Sequence, residues 1–218
     1  MRDLLSWLSV LSNDLVDLVA PPECAACGEA FPTRLSLCAV CLHHLSPPDE
    51  APAGVFVAYE YGASLARAVH RAKYGDDPSV AASLGALLSE AFPEGEAVDV
   101  VVPVPLHDAR LRSRGFNQSA ELSRALAKRL RVPIAFDGAR RVRDTPTQTR
   151  LDRERRRANV ADAFTASPSL RGKRVLLIDD VVTTGSTLEA LRVACLDAGA
   201  VTVRAAALAR APLYFSAQ

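Results

Sequence analysis

Residues 175–187 read Val-Leu-Leu-Ile-Asp-Asp-Val-Val-Thr-Thr-Gly-Ser-Thr, and this stretch decides the fold. Its four leading apolar residues predict a strand that is buried on both faces, as in a parallel sheet. Two carboxylates follow, and a short run of hydroxyl residues and glycine then leads into a helix with Leu188, Leu191 and Cys195 on one face. A strand, a polar turn and a helix in this order favour an α/β fold with its functional residues at the carboxyl end of the strand.

The rest of residues 54–218 repeats this alternation. The predicted strands are residues 55–59, 98–104 and 201–208. The predicted helices are residues 65–72, a helix that begins after an N-cap at Ser79, residues 122–130, and the helix after residue 187, which Gly199 ends. We therefore expect one α/β domain over residues 54–218, with a mainly parallel sheet flanked by helices.

Residues 179–187 carry two kinds of polar group. Asp179 and Asp180 offer acceptors, which suit two adjacent sugar hydroxyls. Donors follow at the start of the helix, where free N–H groups and partial positive charge suit a phosphate. The hydroxyl donors are Thr183, Thr184, Ser186 and Thr187, with Gly185 allowing close backbone approach. This pattern predicts a ribose 5-phosphate site; the alternative is an acidic strand end followed by an ordinary helix cap.

A second predicted strand end, at residues 100–105, leads into a basic segment that contains glycine. Arg110, Arg112 and Arg114 alternate there, so we expect a loop whose guanidinium groups converge on a polyanion such as a diphosphate. A solvated basic loop is the alternative. His107 alone indicates little.

The segment from Arg140 to Ala161 is long, polar and rich in arginine. Loops of this length in compact domains are usually functional or mobile. An arginine-rich flap near a phosphate loop can exclude water while a glycosidic bond forms or breaks. The alternative is a disordered charge run.

Four cysteines form two C-x-x-C pairs separated by ten residues. Cys24, Cys27, Cys38 and Cys41 supply the four soft ligands of a closed structural Zn²⁺ site, whereas reduced thiols without this metal are the alternative. The surrounding residues 21–53 hold few apolar side chains, so a bound ion must replace a core. We call residues 21–53 the cysteine module, and we expect it to serve as a docking surface. Cys195 fits the apolar face of its helix and is interpreted as core.

Residues 1–20 have the apolar spacing of an amphipathic helix and lack the long apolar run of a membrane span or a signal peptide. Apolar residues make up 49% of the chain and charged residues 23%, a composition typical of soluble proteins, and we expect a cytoplasmic location. The net charge of +1 argues against direct binding of nucleic acid by bulk charge.

These motifs together resemble the ComF/GntX family of phosphoribosyltransferase-like proteins, named for DNA uptake during natural transformation. Residues 175–187 resemble the PRPP (5-phosphoribosyl 1-diphosphate) signature of type I phosphoribosyltransferases. The further matching motifs are Val-Val-Pro-Val-Pro-Leu-His at 101–107, Arg-Gly-Phe-Asn-Gln at 114–118, Thr-x-x-Gln-x-x-Leu at 145–151, Arg156-x-x-Asn159, the cysteine pairs and the turn Lys73-Tyr74-Gly75. The resemblance implies a type I phosphoribosyltransferase fold with an N-terminal zinc module, and Mg²⁺ bound together with PRPP.

The resemblance also implies roles for individual residues. The implied pyrophosphate side comprises Lys73, Pro105, Leu106, His107, Arg112, Asn117 and Gln118. The segment 140–161 is implied to be the hood over the ligand, with Thr147, Gln148 and Asn159. We assign electrostatic catalytic roles to Arg110, Arg114 and Arg156.

Two functions follow as hypotheses. The first is an enzyme that transfers phosphoribose between PRPP and a nitrogen acceptor such as a nucleobase. The second is a non-catalytic sensor of PRPP or a nucleotide that assists DNA uptake through protein partners. The shared motifs do not specify the acceptor, and the sequence leaves open whether the chain forms a homo-oligomer.

Overall fold

The computed structural model describes residues 23–30, 37–74, 78–143 and 163–212. Its strands are β1 (Val55–Glu60), β2 (Val100–Pro103), β3 (Ala139–Arg141), β4 (Phe164–Ala166), β5 (Arg174–Val182) and β6 (Thr202–Arg210). Its helices are α1 (Ala39–His43), α2 (Ala63–Tyr74), α3 (Pro78–Ala91), α4 (Asp108–Arg114), α5 (Gln118–Leu130) and α6 (Ser186–Asp197).

Four strands form a parallel sheet in the order β1-β6-β5-β2. The strand of the decisive motif, β5, is therefore central, and Leu176, Leu177 and Ile178 are fully buried. Truncating such a residue to alanine costs about 2–5 kcal/mol. The predicted α/β fold with a mainly parallel sheet is confirmed.

Neighbouring residues of β5 belong to two different apolar clusters because strand side chains alternate between faces. Leu176 and Ile178 pack in the cluster that contains α2, α3 and α5. Val175 and Leu177 pack in the cluster that contains α6 and the β3–β4 pair. Both faces of the sheet are thus covered, which explains the continuous apolar run.

The structure differs from the sequence prediction at several boundaries. Helix α3 begins at Pro78, so Ser79 lies inside it and is not its cap. Residues 108–114 form helix α4 where we expected a loop. Strand β5 continues past the two acids to Val182, because Val181 and Val182 still pair with β6.

The antiparallel pair β3–β4 was not predicted. Arg140 pairs with Thr165, and the N–H of Val142 donates to the carbonyl of Ala163 at 2.8 Å. This pair brings together the two ends of the segment that the sequence assigned to the hood.

The predicted helix over residues 1–20 lies outside the described residues. Across the described ranges, every helix is too short or too polar to cross a bilayer.

Candidate functional site

Two adjacent carboxylates define the site at the carboxyl end of β5. Oδ1 of Asp179 accepts hydrogen bonds from Ser119 Oγ at 3.1 Å and from the N–H of Asp180 at 2.9 Å. Oδ1 of Asp180 accepts from the N–H of Val181 at 2.6 Å. The two acids are partly buried, and their backbone is held in the β5–β6 ladder. The strand therefore presents both carboxylates in fixed positions.

Lys73 neutralises part of this charge. Its Nζ lies 2.8 Å from Oδ2 of Asp180, and both side chains are mostly shielded from solvent, with exposures of 23% and 14%. Burial opposes the charged form of Lys73, but the charge and hydrogen bond of Asp180, aided by Asp179, outweigh it and raise the lysine pKa. Lys73 stays protonated and contacts Asp180 directly.

Asp179 resists ionisation. Burial, and then the neighbouring charge of Asp180, raise its pKa to about 7, against the opposing effects of the Asp180 N–H, Lys73 and Ser119. Asp179 therefore becomes ionised only close to neutral pH.

The hydroxyl-rich segment continues from the end of β5 to the start of α6. Gly185 has a φ of +76°, which glycine adopts without strain, and directly precedes the first helical residue, Ser186. A Cβ at position 185 would lie 3.0 Å from the Cβ of Pro52, near the end of the cysteine module. The hydroxyls of Thr184 and Ser186 are 3.0 Å apart. Thr183 is exposed, and Ser186 and Thr187 form the first turn of α6, where the N–H of Ser186 lies 3.4 Å from Oγ1 of Thr184. We call residues 179–187 the pentose-phosphate site, after the ligand that the sequence predicts for them.

Two residues assigned to the pyrophosphate side cap helices. His107 Nδ1 accepts from the N–H of Ala109 at 3.4 Å at the start of α4. Asn117 Oδ1 accepts from the N–H of Ser119 at 3.0 Å at the start of α5, and its amide donates to the carbonyl of Val104. Asn117 thereby ties the start of α5 to the end of β2. Pro105 and Leu106 follow β2 at the same sheet edge and are partly exposed.

Gln118 and Arg114 connect α4 and α5 with the end of α2. Gln118 is buried; its amide nitrogen lies 3.5 Å from the carbonyl of Ala72, and its oxygen accepts from Arg114 Nη1 at 3.3 Å. Arg114 also lies over the ring of Tyr74, with Cζ 5.3 Å from the centroid. These contacts hold the helix turn that carries Lys73.

The three alternating arginines do not share one face. Successive residues of a helix are about 100° apart, so Arg112 lies about 200° from Arg110 and Arg114, which are one turn apart. Arg112 is exposed, whereas Arg110 and Arg114 are partly buried. The expected convergence of three heads in a loop was wrong, because the segment is helical.

The hood residues Thr147, Gln148, Arg156 and Asn159 lie outside the described residues. Within the described part, Arg140 and Arg141 at its base form strand β3 with Ala139.

The four cysteines of the module lie together. Their Sγ atoms are all within 4.8 Å of one another, and those of Cys27 and Cys38 are 3.8 Å apart. A tetrahedral Zn²⁺ with Zn–S bonds of 2.3 Å requires sulfurs about 3.8 Å apart, so the residues fit this ion. The N–H of Cys38 lies 3.4 Å from Cys24 Sγ, an outer contact typical of such sites.

The thiols of this cluster differ in acidity. Burial raises the pKa of Cys24, but backbone N–H groups of Cys27, Cys38 and Ala26 outweigh it and lower the pKa to about 6. Burial, and then the neighbouring thiols, raise the pKa of Cys41 to about 12. One thiolate is thus stabilised before any metal binds, and metal must displace the remaining protons. Cys195 is fully buried in α6, as expected for a core residue.

Two neighbours of the acidic pair, Ser119 and Tyr61, were not predicted. Ser119 directly follows the Arg-Gly-Phe-Asn-Gln motif, so position beside a motif was an available signal. Tyr61, partly buried, has its pKa raised by burial; Lys73 opposes this effect, while Asp180 and Tyr74 add to it. No sequence signal distinguished Tyr61.

The sequence is similar to known proteins. Residues 70–214 match the model of the phosphoribosyl transferase domain. DNA utilization protein YhgH of Salmonella typhimurium is 32% identical over 86% of this chain and 89% of its own length. Competence protein F of Haemophilus influenzae is 30% identical over 87% of this chain and 85% of its own.

Among solved structures, glutamine PRPP amidotransferase from B. subtilis is 21% identical, with a TM-score of 0.43 over 63% of this chain and 30% of its own. The assignment of the chain to a family rests on the domain match and on the two relatives, which align along most of their length. The parallel sheet, the acidic strand end and the four-cysteine cluster agree with it: the chain belongs to the phosphoribosyl transferase domain family, in its ComF/GntX group.

Proposed function

We propose that the chain binds PRPP together with Mg²⁺ and transfers phosphoribose between the diphosphate and a nitrogen acceptor of the nucleobase type. One observation carries the proposal. Asp179 and Asp180 lie near the carboxyl end of the central parallel strand, which ends at Val182, and the hydroxyl-rich residues 183–187 follow and begin α6. Acceptors for a sugar diol therefore adjoin donors for a 5-phosphate.

Each part of the ligand has a complementary group. The carboxylates accept hydrogen bonds from the ribose hydroxyls, and residues 183–187 hold the phosphate through hydroxyl and N–H groups. Lys73 and Arg114 supply positive charge beside this site for the diphosphate.

Mg²⁺ would be bound mainly by oxygens of PRPP and less by groups of the protein. Both oxygens of Asp180 already accept, from Lys73 and from Val181, so the acidic pair is not a ready cage for a cation. Diphosphate oxygens would supply most of the ligands, as Mg²⁺ commonly requires, and the bound ion would neutralise charge on the leaving group. The protein's own contribution is positioning and fixed charge, and we assign no general base.

Calorimetry tests this proposal. Titrating Mg²⁺-PRPP into the full chain should give saturable binding, and Asp179→Asn and Asp180→Asn should each weaken it about tenfold or more. Asp197→Asn, at the far end of α6 and exposed, is the matched control and should bind like the wild type. No heat at millimolar ligand would contradict the proposal. A screen for pyrophosphate release over nucleobases then identifies the acceptor.

The names of the relatives favour a second candidate, a non-catalytic accessory function in DNA uptake. In this case the cysteine module and residues 1–20 bind protein partners, and the pentose-phosphate site senses a ligand. A transformable host that lacks its own relative is complemented with this chain, and transformation frequency is measured. If the wild type is active and the Asp179→Ala and Asp180→Ala variants are equally active, DNA uptake needs neither catalysis nor ligand sensing at the site, and only the binding of protein partners would stand.

Direct binding of single-stranded DNA is not part of either candidate, since the net charge is only +1. Binding that falls steeply with salt would contradict this view. A cluster of four metal-binding thiols needs a reducing compartment, which fits a cytoplasmic protein.

A further inference from the structure

The cysteine module packs directly on helix α2. Five residues of the module and four residues of α2 belong to one buried apolar cluster. The module residues in this cluster are Cys24, Ala25, Ala26, Leu37 and Cys41, and the helix residues are Leu65, Ala68, Val69 and Ala72. The module is therefore a packed layer on this helix, beyond its covalent connection to β1.

Two arginines of α2, one turn apart, bind the first C-x-x-C loop. Arg67 Nε donates to the carbonyl of Ala26 at 3.2 Å, and Arg71 Nη1 donates to the carbonyl of Cys24 at 2.9 Å. These acceptors are backbone atoms, so their positions depend on how the loop is folded. In a segment with few apolar residues, metal binding supplies much of that folding free energy.

The same helix ends in the pentose-phosphate site. Arg71 is two residues from Lys73, whose Nζ lies 2.8 Å from Asp180. A helix of 12 residues is marginal on its own and is ordered by what it packs against. Loosening of the cysteine module should therefore loosen the turn that places Lys73.

We propose that metal binding at Cys24, Cys27, Cys38 and Cys41 sets the affinity of the pentose-phosphate site through helix α2. This inference rests on the proposed function, because it needs PRPP as the ligand. The metal-loaded module accepts the hydrogen bonds of Arg67 and Arg71 and so fixes helix α2. Because the helix is fixed, Lys73 keeps its contact with Asp180, and the site binds the anionic ligand more tightly. The coupling is reciprocal, so bound PRPP should also retain the metal.

The test compares Mg²⁺-PRPP affinity by calorimetry in the zinc-loaded full chain and in the same chain stripped of zinc. Stripping should weaken binding about fivefold or more, a common size for coupling between sites, and reloading should restore it. In the reverse direction, saturating Mg²⁺-PRPP should slow the release of zinc to a chromogenic chelator.

A double variant separates coupling from unfolding of the stripped protein. Arg67→Gln with Arg71→Gln removes both contacts to the loop and leaves all four thiols, so zinc content should stay at about one per chain. Its PRPP affinity should nevertheless fall about fivefold or more. Arg204→Gln, at an exposed position near the start of β6, is the matched control with unchanged affinity.

Equal PRPP affinity in the zinc-loaded double variant and the wild type would overturn the coupling, whatever happens to the stripped protein. That result would leave the proposed function standing. Failure of the wild type to bind PRPP at all would instead overturn the proposed function.

Discussion

Lys73 and Asp180 join the last turn of α2 to the end of β5, with Nζ 2.8 Å from Oδ2. The pair lies beside Asp179, so one ammonium group balances two carboxyl groups. Its removal should affect both the stability of the protein and the charge that a ligand meets.

We expect Lys73→Met to lower the free energy of unfolding at pH 7.5 by about 1–3 kcal/mol, because it leaves two shielded carboxylates without their cation. Adding Asp180→Asn to this variant should recover part of the loss. Urea unfolding of the two single variants and the double variant measures the coupling. Arg192→Met removes an ion pair on the surface of α6 and should cost less than about 1 kcal/mol. Equal costs for Lys73→Met and Arg192→Met would refute a special role for the first pair.

The raised pKa of Asp179, about 7, predicts a pH dependence of stability. Between its unfolded value near 4 and its folded value, the folded protein keeps a proton that the unfolded chain releases. The contribution of this group to stability is therefore lost as the pH rises from about 4 to 7, and the loss is complete above 7.

Asp179→Asn cannot ionise, so it should lack this loss and be more stable than the wild type at pH 8, by on the order of 1–4 kcal/mol. Chemical unfolding at pH 5 and pH 8 measures the difference. Asp197→Asn should follow the wild-type pH profile. An Asp179→Asn variant with the same dependence as the wild type would show that another group causes it.

The metal site predicts about one zinc per chain by elemental analysis. Cys24→Ser should reduce the content well below this value and lower the melting temperature, since it removes one of the four ligands, and a buried one. Cys195→Ala, in the core of α6, should keep its zinc and lose only packing. Equal zinc content in both variants would refute the four-thiolate assignment.

Gly185→Ala should destabilise the protein by about 1–3 kcal/mol, because it combines a positive φ with a contact to Pro52. Gly172 has a φ of +71° with open space around its Cα, so Gly172→Ala has the backbone strain alone. The difference between the two unfolding free energies measures the Pro52 contact. PRPP affinity should fall in Gly185→Ala and not in Gly172→Ala.

Local sequence patterns were enough to predict much of the structure of this protein. The buried strand, its acidic end and the cysteine pairs are each encoded within a few residues, and the strand and the cysteine cluster have the predicted arrangement. Helix α4 also had local signals, a capping histidine and a C-terminal Gly115 with positive φ, but its many arginines favoured interpretation as a loop.

The contact between Lys73 and Asp180 could not be derived in this way. It depends on the strand order β1-β6-β5-β2, in which the last strand inserts between the first and β5. Alternation of strands and helices is compatible with several such orders, and only the actual order brings the end of α2 to the end of β5. Ser119 reaches Asp179 for the same reason.

Helix α2 acts as a spacer of fixed length between two sites. Inserting one residue after Arg71 would rotate Lys73 by about 100° and advance it by about 1.5 Å relative to the arginines that contact the cysteine module. No single rotation of the helix would then satisfy both sites. Proteins of this family that keep both sites should therefore tolerate substitutions on the exposed positions of this helix, but not a change in its length.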